Sequence, residues 1–134
     1  MNSDNNPITP IPDLDIVAIP DLVPKIINKP FSKDIFLFDT HIAGTTYVDD
    51  IEKIMEKVTI GAELHFFRET NNRYDNYAII IKTLNDQKLG YVPASDNVVF
   101  ARLLDAGKLL IAKISTISKL EHWYRIKIKI YLRD

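Results

Sequence analysis

The sequence predicts a mainly β fold, a small antiparallel barrel of about six strands with two short helices. Three observations carry that expectation. The C-terminal segment alternates strictly, with Ile126, Ile128, Ile130 and Leu132 on one side and Arg125, Lys127, Lys129 and Tyr131 on the other. Strand-like runs rich in Ile, Phe and Thr recur from Ile35 onward, each bounded by turn residues. So many strands in roughly 100 residues expose long edges unless the sheet closes on itself.

The elements follow in order. Residues 35 to 47 read as the first strand, with Gly44 as a bulge or bend. Asp49 or Asp50 can cap a helix in which Ile51, Ile54, Met55 and Val58 form one apolar stripe at i, i+3, i+4 and i+7. Residues 63 to 68 and 78 to 82 read as strands, separated by a polar run from Glu69 to Tyr77 that is long for a plain hairpin. Asn85-Asp86-Gln87 supplies a turn before a short strand ending at Leu89-Gly90-Tyr91-Val92. Ser95 can cap a second helix carrying Val98, Val99, Leu103 and Leu104, which Gly107 stops. Two long strands, 109 to 120 and 123 to 132, close the chain around a turn at Glu121-His122.

Ahead of this domain, six of the seven prolines fall within residues 1 to 30 while all four glycines lie at or beyond Gly44. The expected division is therefore a Pro-rich extended tail, residues 1–34, and a β domain, residues 35–134. Within the tail, Ile11-Pro12-Asp13-Leu14 recurs as Ile19-Pro20-Asp21-Leu22. Its apolar groups, Ile16, Val17, Ile19, Leu22, Val23, Ile26 and Ile27, suit either a linker or a segment that docks.

Composition narrows the chemistry. The chain has no Cys, which excludes disulfides, thiolate metal sites and a Cys nucleophile. The first 24 residues hold no Lys or Arg, and Pro and Asp break every apolar run there, so neither a signal peptide nor a membrane span is expected and the protein reads as cytoplasmic. A net charge of -1 provides no overall basic field, so any polyanion site must be local. Residues 107 to 134 do carry seven Lys and Arg against Glu121 and Asp134. His41, His65 and His122 belong to no recognisable triad, Asp39 and His41 lack a third metal ligand, and no phosphate-binding loop of the ATPase type occurs, so no enzyme, metal or cofactor is expected.

The stretch Asn71-Asn72-Arg73-Tyr74-Asp75 offers amides, a cation, an aromatic face and a carboxylate within one loop. Such a loop can stack a base on Tyr74 and hold a sugar hydroxyl on Asp75. It can equally be a self-satisfied Asx-type turn in which Tyr74 covers the end of the barrel.

The run Arg68-Glu69-Thr70-Asn71-Asn72-Arg73-Tyr74-Asp75-Asn76-Tyr77-Ala78-Ile79 closely resembles the R-x-x-x-N-x-Y-D-x-x-A-I signature of the HIRAN domain. Gly61-Ala62-Glu63-Leu64 is similar to that family's upstream G-x-x-L step, and Leu89-Gly90-Tyr91-Val92-Pro93 to its downstream L-G-Y-[IV]-P step. The order and spacing agree from about Phe38 to Leu132, leaving only the tail outside. The resemblance implies a six-stranded OB-like barrel, found alone in bacteria and phages or fused to helicases and nucleases. It also implies a non-enzymatic module that binds single-stranded DNA at its free 3′-hydroxyl end, in DNA repair or processing.

Carried over residue by residue, Tyr74 and Tyr47 resemble the base-stacking aromatics and Asp75 the carboxylate that receives the terminal hydroxyl. Asn71 and Asn72 resemble loop residues around that end. Tyr91 stands where a eukaryotic member has a His near the terminal phosphate, and Trp123 or Tyr124 stands near a further aromatic contact. Thr46 stands where the eukaryotic DNA binder has Arg, and Ala94 follows Pro93 where a basic residue is common in the family. Arg73, or Arg125, Lys127 and Lys129, can substitute only if their face borders the same groove. The alternative is a protein-interaction module that kept the barrel, lost the DNA groove, and works with a helicase or nuclease partner.

Overall fold

A computed structural model describes residues 33–134. The tail repeat and the docking of the tail's apolar groups fall in residues 1 to 32 and lie outside the described residues.

The alternating C-terminal segment organises the domain. Ile126, Ile128 and Ile130 are fully buried, while Arg125 and Lys127 on the opposite face are exposed. This strand, β6 (Trp123–Arg133), pairs along most of its length with β5 (Leu110–Leu120), and Glu121 makes the turn with a positive φ of 44°. On its other side β6 pairs with β1 (Asp34–His41). β5 continues the sheet through β2 (Glu63–Arg68), β3 (Ile79–Thr83) and β4 (Lys88–Tyr91). The order β1-β6-β5-β2-β3-β4 is antiparallel throughout. Leu64, Ile79, Ile81, Leu89, Leu110, Ile114 and the three isoleucines of β6 form the centre of one apolar cluster.

The expected barrel does not close. The two edges of the sheet meet in a single residue pair, Ala43 with Tyr91, whose amides donate to each other's carbonyls at 2.8 Å. The first strand ends at His41 instead of running to residue 47, because Gly44 (φ 77°) turns the chain into a 3-10 turn, Thr45–Tyr47. With β4 only four residues long, no second pair can form across the seam.

Both helices lie on the core side of the sheet. Helix α1 (Ile51–Met55) buries Ile54 and Met55 and half-buries Ile51, with Val58 just beyond its end. Asp50 occupies the N-cap, but in a left-handed conformation and with no side-chain capping bond. Helix α2 (Asn97–Asp105) begins one residue later than the expected Ser95 cap, on Asp96. That carboxylate makes no cap bond either; it accepts a hydrogen bond from the Thr40 hydroxyl at 2.8 Å and so ties α2 to β1. The stripe that enters the core is Phe100 and Ala101, with Leu103 and Leu104 half-buried, while Val98 and Val99 stay on the surface. Gly107 ends the helix as expected: with φ 86° it donates to the Leu104 carbonyl at 2.9 Å, and Lys108 donates to Leu103 at 3.0 Å, a Schellman ending.

On the outward face, Arg133 ties three strands together. Its guanidinium donates to both oxygens of Asp34 at 2.8 Å and to the two oxygens of Glu63 at 3.0 and 3.1 Å. These bidentate bonds hold the Asp34 and Glu63 carboxyls below the usual carboxylate range. Carboxyls lowered in the folded state add stability above their ordinary pKa and lose it as pH falls through the folded value. Arg133→Ala is therefore expected to lower the thermal midpoint by several degrees at neutral pH. The gap to the parent should narrow below the usual carboxylate range, as scanning calorimetry across acid pH will read.

Candidate nucleic-acid interface

The loop between β2 and β3 is pinned at its base by the last residue of β2. Arg68 donates to the carbonyls of Ala78 and Asn76, both at 2.9 Å, and to the Asp105 carboxylate of α2 at 3.0 Å. Inside the loop, the Asn72 amide oxygen accepts from the backbone N–H of Tyr74 at 2.8 Å and of Asp75 at 3.0 Å. The Asp75 carboxylate accepts from the Tyr77 N–H at 2.8 Å and from the side-chain amide of Asn97 at 2.9 Å, and Asn97 is a buried polar residue at the start of α2. The amide and the carboxylate thus organise their own backbone, as an Asx-type turn does. Tyr74 does not follow that reading. It covers nothing and stands 91% exposed.

A chain of polar contacts joins this loop to β4. The Asn72 amide and the Tyr91 hydroxyl both donate to the same Glu69 oxygen at 2.8 Å, and Lys88 donates to the Tyr91 hydroxyl at 3.0 Å. The Lys88 ammonium also lies 4.4 Å from the centre of the Tyr91 ring. Hydrogen bonds from Asn72 and Tyr91, aided by the charge of Lys88, hold the Glu69 carboxyl below its ordinary range. Tyr91 is therefore a linking residue with its hydroxyl engaged at both ends.

The pair Ala43–Tyr91 brings the 3-10 turn to the same end of the sheet. There Tyr47 is 90% exposed and forms one wall of a cleft of about 670 Å³ in which Lys53, Lys57 and Lys88 are balanced by Asp49, Asp50 and Glu56. Tyr47, Asn72, Tyr74, Asp75 and Tyr91 are thus linked at one end of the fold. Asn71 and Arg73 are exposed in the same loop, and among the described residues the Arg73 guanidinium has no hydrogen bond or ion pair.

The other expected site residues lie on β6, whose hairpin end is tied to the turn that carries Tyr47, since the Thr45 hydroxyl donates to the Tyr124 carbonyl at 3.0 Å. Tyr124 is half-buried on the core side of β6, beside Lys119, which reaches Glu52 of α1 at 3.6 Å. Trp123, Arg125 and Lys127 alternate with Tyr124 and Ile126 and so occupy the outward face of the sheet. Lys129 is further engaged by Asp39 at 2.8 Å. Asp39 and His41 likewise join no metal cluster, as no group of three or more potential ligands occurs among the described residues.

The site residues that sequence reading missed are Arg68, Glu69, Lys88 and Asn97. Arg68 and Glu69 stood inside the quoted signature, but nothing local shows that they hold the loop. Asn97 gave a faint signal as an amide in the first turn of a helix, where it helps little unless something distant uses it.

Comparison with known proteins agrees with this fold. A crystal structure of a protein from Lactobacillus plantarum superposes with a TM-score of 0.72 at 26% identity, covering 77% of this chain and 98% of that one. The crystal structure of the HIRAN domain of human HLTF superposes with a TM-score of 0.60 at 14% identity, covering 75% of this chain and 78% of that one. No curated protein matches the sequence. Among the described residues, no helix is long and apolar enough to cross a membrane. Residues 35–133 match the HIRAN domain, and the chain belongs to that family.

Proposed function

We propose that this protein is a non-enzymatic module that holds the 3′-hydroxyl end of a single DNA strand. The reading is carried by Tyr47 and Tyr74, two rings 90% and 91% exposed at the end of the fold where the signature loop lies. Bare aromatic rings are costly in water and suit base stacking. Asp75 keeps lone pairs beyond its bonds to Tyr77 and Asn97 and can accept a terminal hydroxyl. Asp75 and Glu69 together disfavour a terminal phosphate by charge. Arg73 offers a cation beside Tyr74, whereas Lys53 and Lys57 share the Tyr47 cleft with Asp49, Asp50 and Glu56. A place in DNA repair or processing, alongside a helicase or nuclease, follows from end binding.

Fluorescence anisotropy with a short strand ending in either hydroxyl or phosphate tests this. The parent is expected to prefer the hydroxyl end by roughly tenfold, about one charge-assisted hydrogen bond, and Asp75→Ala to abolish the preference. Equal binding of both ends by the parent would sink end recognition.

A second reading, a protein-interaction module, draws on an apolar groove of about 450 Å³ between β1 and α2, lined by Leu37, Phe38, Val99, Phe100 and Leu103. It gains if no DNA binds at low salt.

A further inference from the structure

The outward face of the sheet carries an arrangement of its own. Along β6, Trp123, Arg125 and Lys127 follow each other at two-residue steps, about 7 Å apart. Directly opposite Lys127 stand His41 on one neighbouring strand and Thr116 on the other, and opposite Arg125 stands Ser118. All of these but Trp123 are polar or cationic, all are exposed, and the Arg125 guanidinium sits 5.3 Å from the Trp123 ring.

The charges on this face are unevenly spent. Toward the far end of β6, Lys129 is paired with Asp39, Lys113 with Asp34, and Arg133 with Asp34 and Glu63. Toward the hairpin end, neither Arg125 nor Lys127 contacts a carboxylate among the described residues. The face therefore grades from neutral to positive along one strand, in a chain whose net charge is -1. Solvated cations could be scattered anywhere. Here two unpaired ones share a row with hydroxyl and imidazole donors, the set that contacts phosphate oxygens.

We propose that the Trp123–Arg125–Lys127 face, with His41, Thr116 and Ser118, is a second nucleic-acid surface that takes the phosphate backbone of duplex DNA. Resting on the end-binding reading above, it gives the domain two contacts with one molecule: a strand end at the loop and the adjoining duplex on the outward face of β6. Duplex binding there is independent of sequence and steeply dependent on salt.

The test compares a short single strand with a free 3′-hydroxyl, the same strand as a 3′ tail on a duplex, and a blunt duplex, for the full chain and for Arg125→Gln with Lys127→Gln. The parent should bind the tailed duplex more tightly than the single strand. The double variant should lose roughly tenfold on the tailed and blunt duplexes, with the slope of log affinity against log salt falling by roughly two. Single-strand binding should stay unchanged. If the single strand fails to bind while the blunt duplex binds and depends on Arg125 and Lys127, the end-binding reading falls and this one stands. Equal losses on all three probes, or no duplex binding by the parent at low salt, would overturn it.

Discussion

Gly90→Ala is expected to lower the free energy of unfolding by about 3–5 kcal/mol, a large share of the roughly 5–15 kcal/mol that holds a domain together. A Cβ at that position would drive into the Ala43 carbonyl oxygen and lie 2.7 Å from Ile42 Cγ2. Neither obstacle is a flexible side-chain tip. One is the backbone acceptor of the Tyr91 amide, and the other belongs to a buried core residue. The φ of 156° adds conformational cost to the steric cost. Gly107→Ala provides the contrast, for a Cβ there meets nothing within 4 Å and only its positive φ is penalised, about 1 kcal/mol. Urea unfolding of both variants separates the two terms, and similar losses would refute the steric account. The glycine of the L-G-Y step is thus explained by the approach of two backbones.

Tyr47→Ala with Tyr74→Ala is expected to weaken single-strand binding by about 2–6 kcal/mol, since stacking is worth about 1–3 kcal/mol per base. That is a loss of about thirtyfold or more. The thermal midpoint should barely move, because rings exposed at 90% and 91% give up almost no packing. The two readouts together make the prediction sharp. Anisotropy that hardly changes would remove stacking from the proposed function, whereas a large fall in midpoint would mean that the rings support the fold.

Much of the fold was legible in the residues. The alternation in β6 specified which side of the strand is core, and Gly107 marked the end of α2, because both signals are local. Closure of the barrel was not, since it depends on how many pairs form across one seam. That number is set by the bend at Gly44 and the shortness of β4. The α2 stripe was misplaced for a related reason: Val98 and Val99 are apolar, but Phe100 and Ala101 are the residues that meet the sheet. For the site, the signature located the loop, and the Asx-type reading of it held in part. Asn72 and Asp75 serve the turn while Tyr74 stays bare. Arg125 and Lys127 were correctly placed on a cationic strand face. Which side of the molecule that face occupies depends on where the helices pack, and no spacing within the strand encodes it.

The single Ala43–Tyr91 pair has a dynamic consequence. Two hydrogen bonds at the edge of a sheet open far more cheaply than the ladder of β5 and β6, so the fold breathes first along this seam. The amides of Ala43 and Tyr91 should exchange with deuterium well before those of Ile114 and Ile128. Tyr91 is also the residue through which Glu69 and Asn72, and with them the loop, are tied to β4. The weakest joint of the sheet and the support of the signature loop are therefore one place, and whatever steadies one steadies the other.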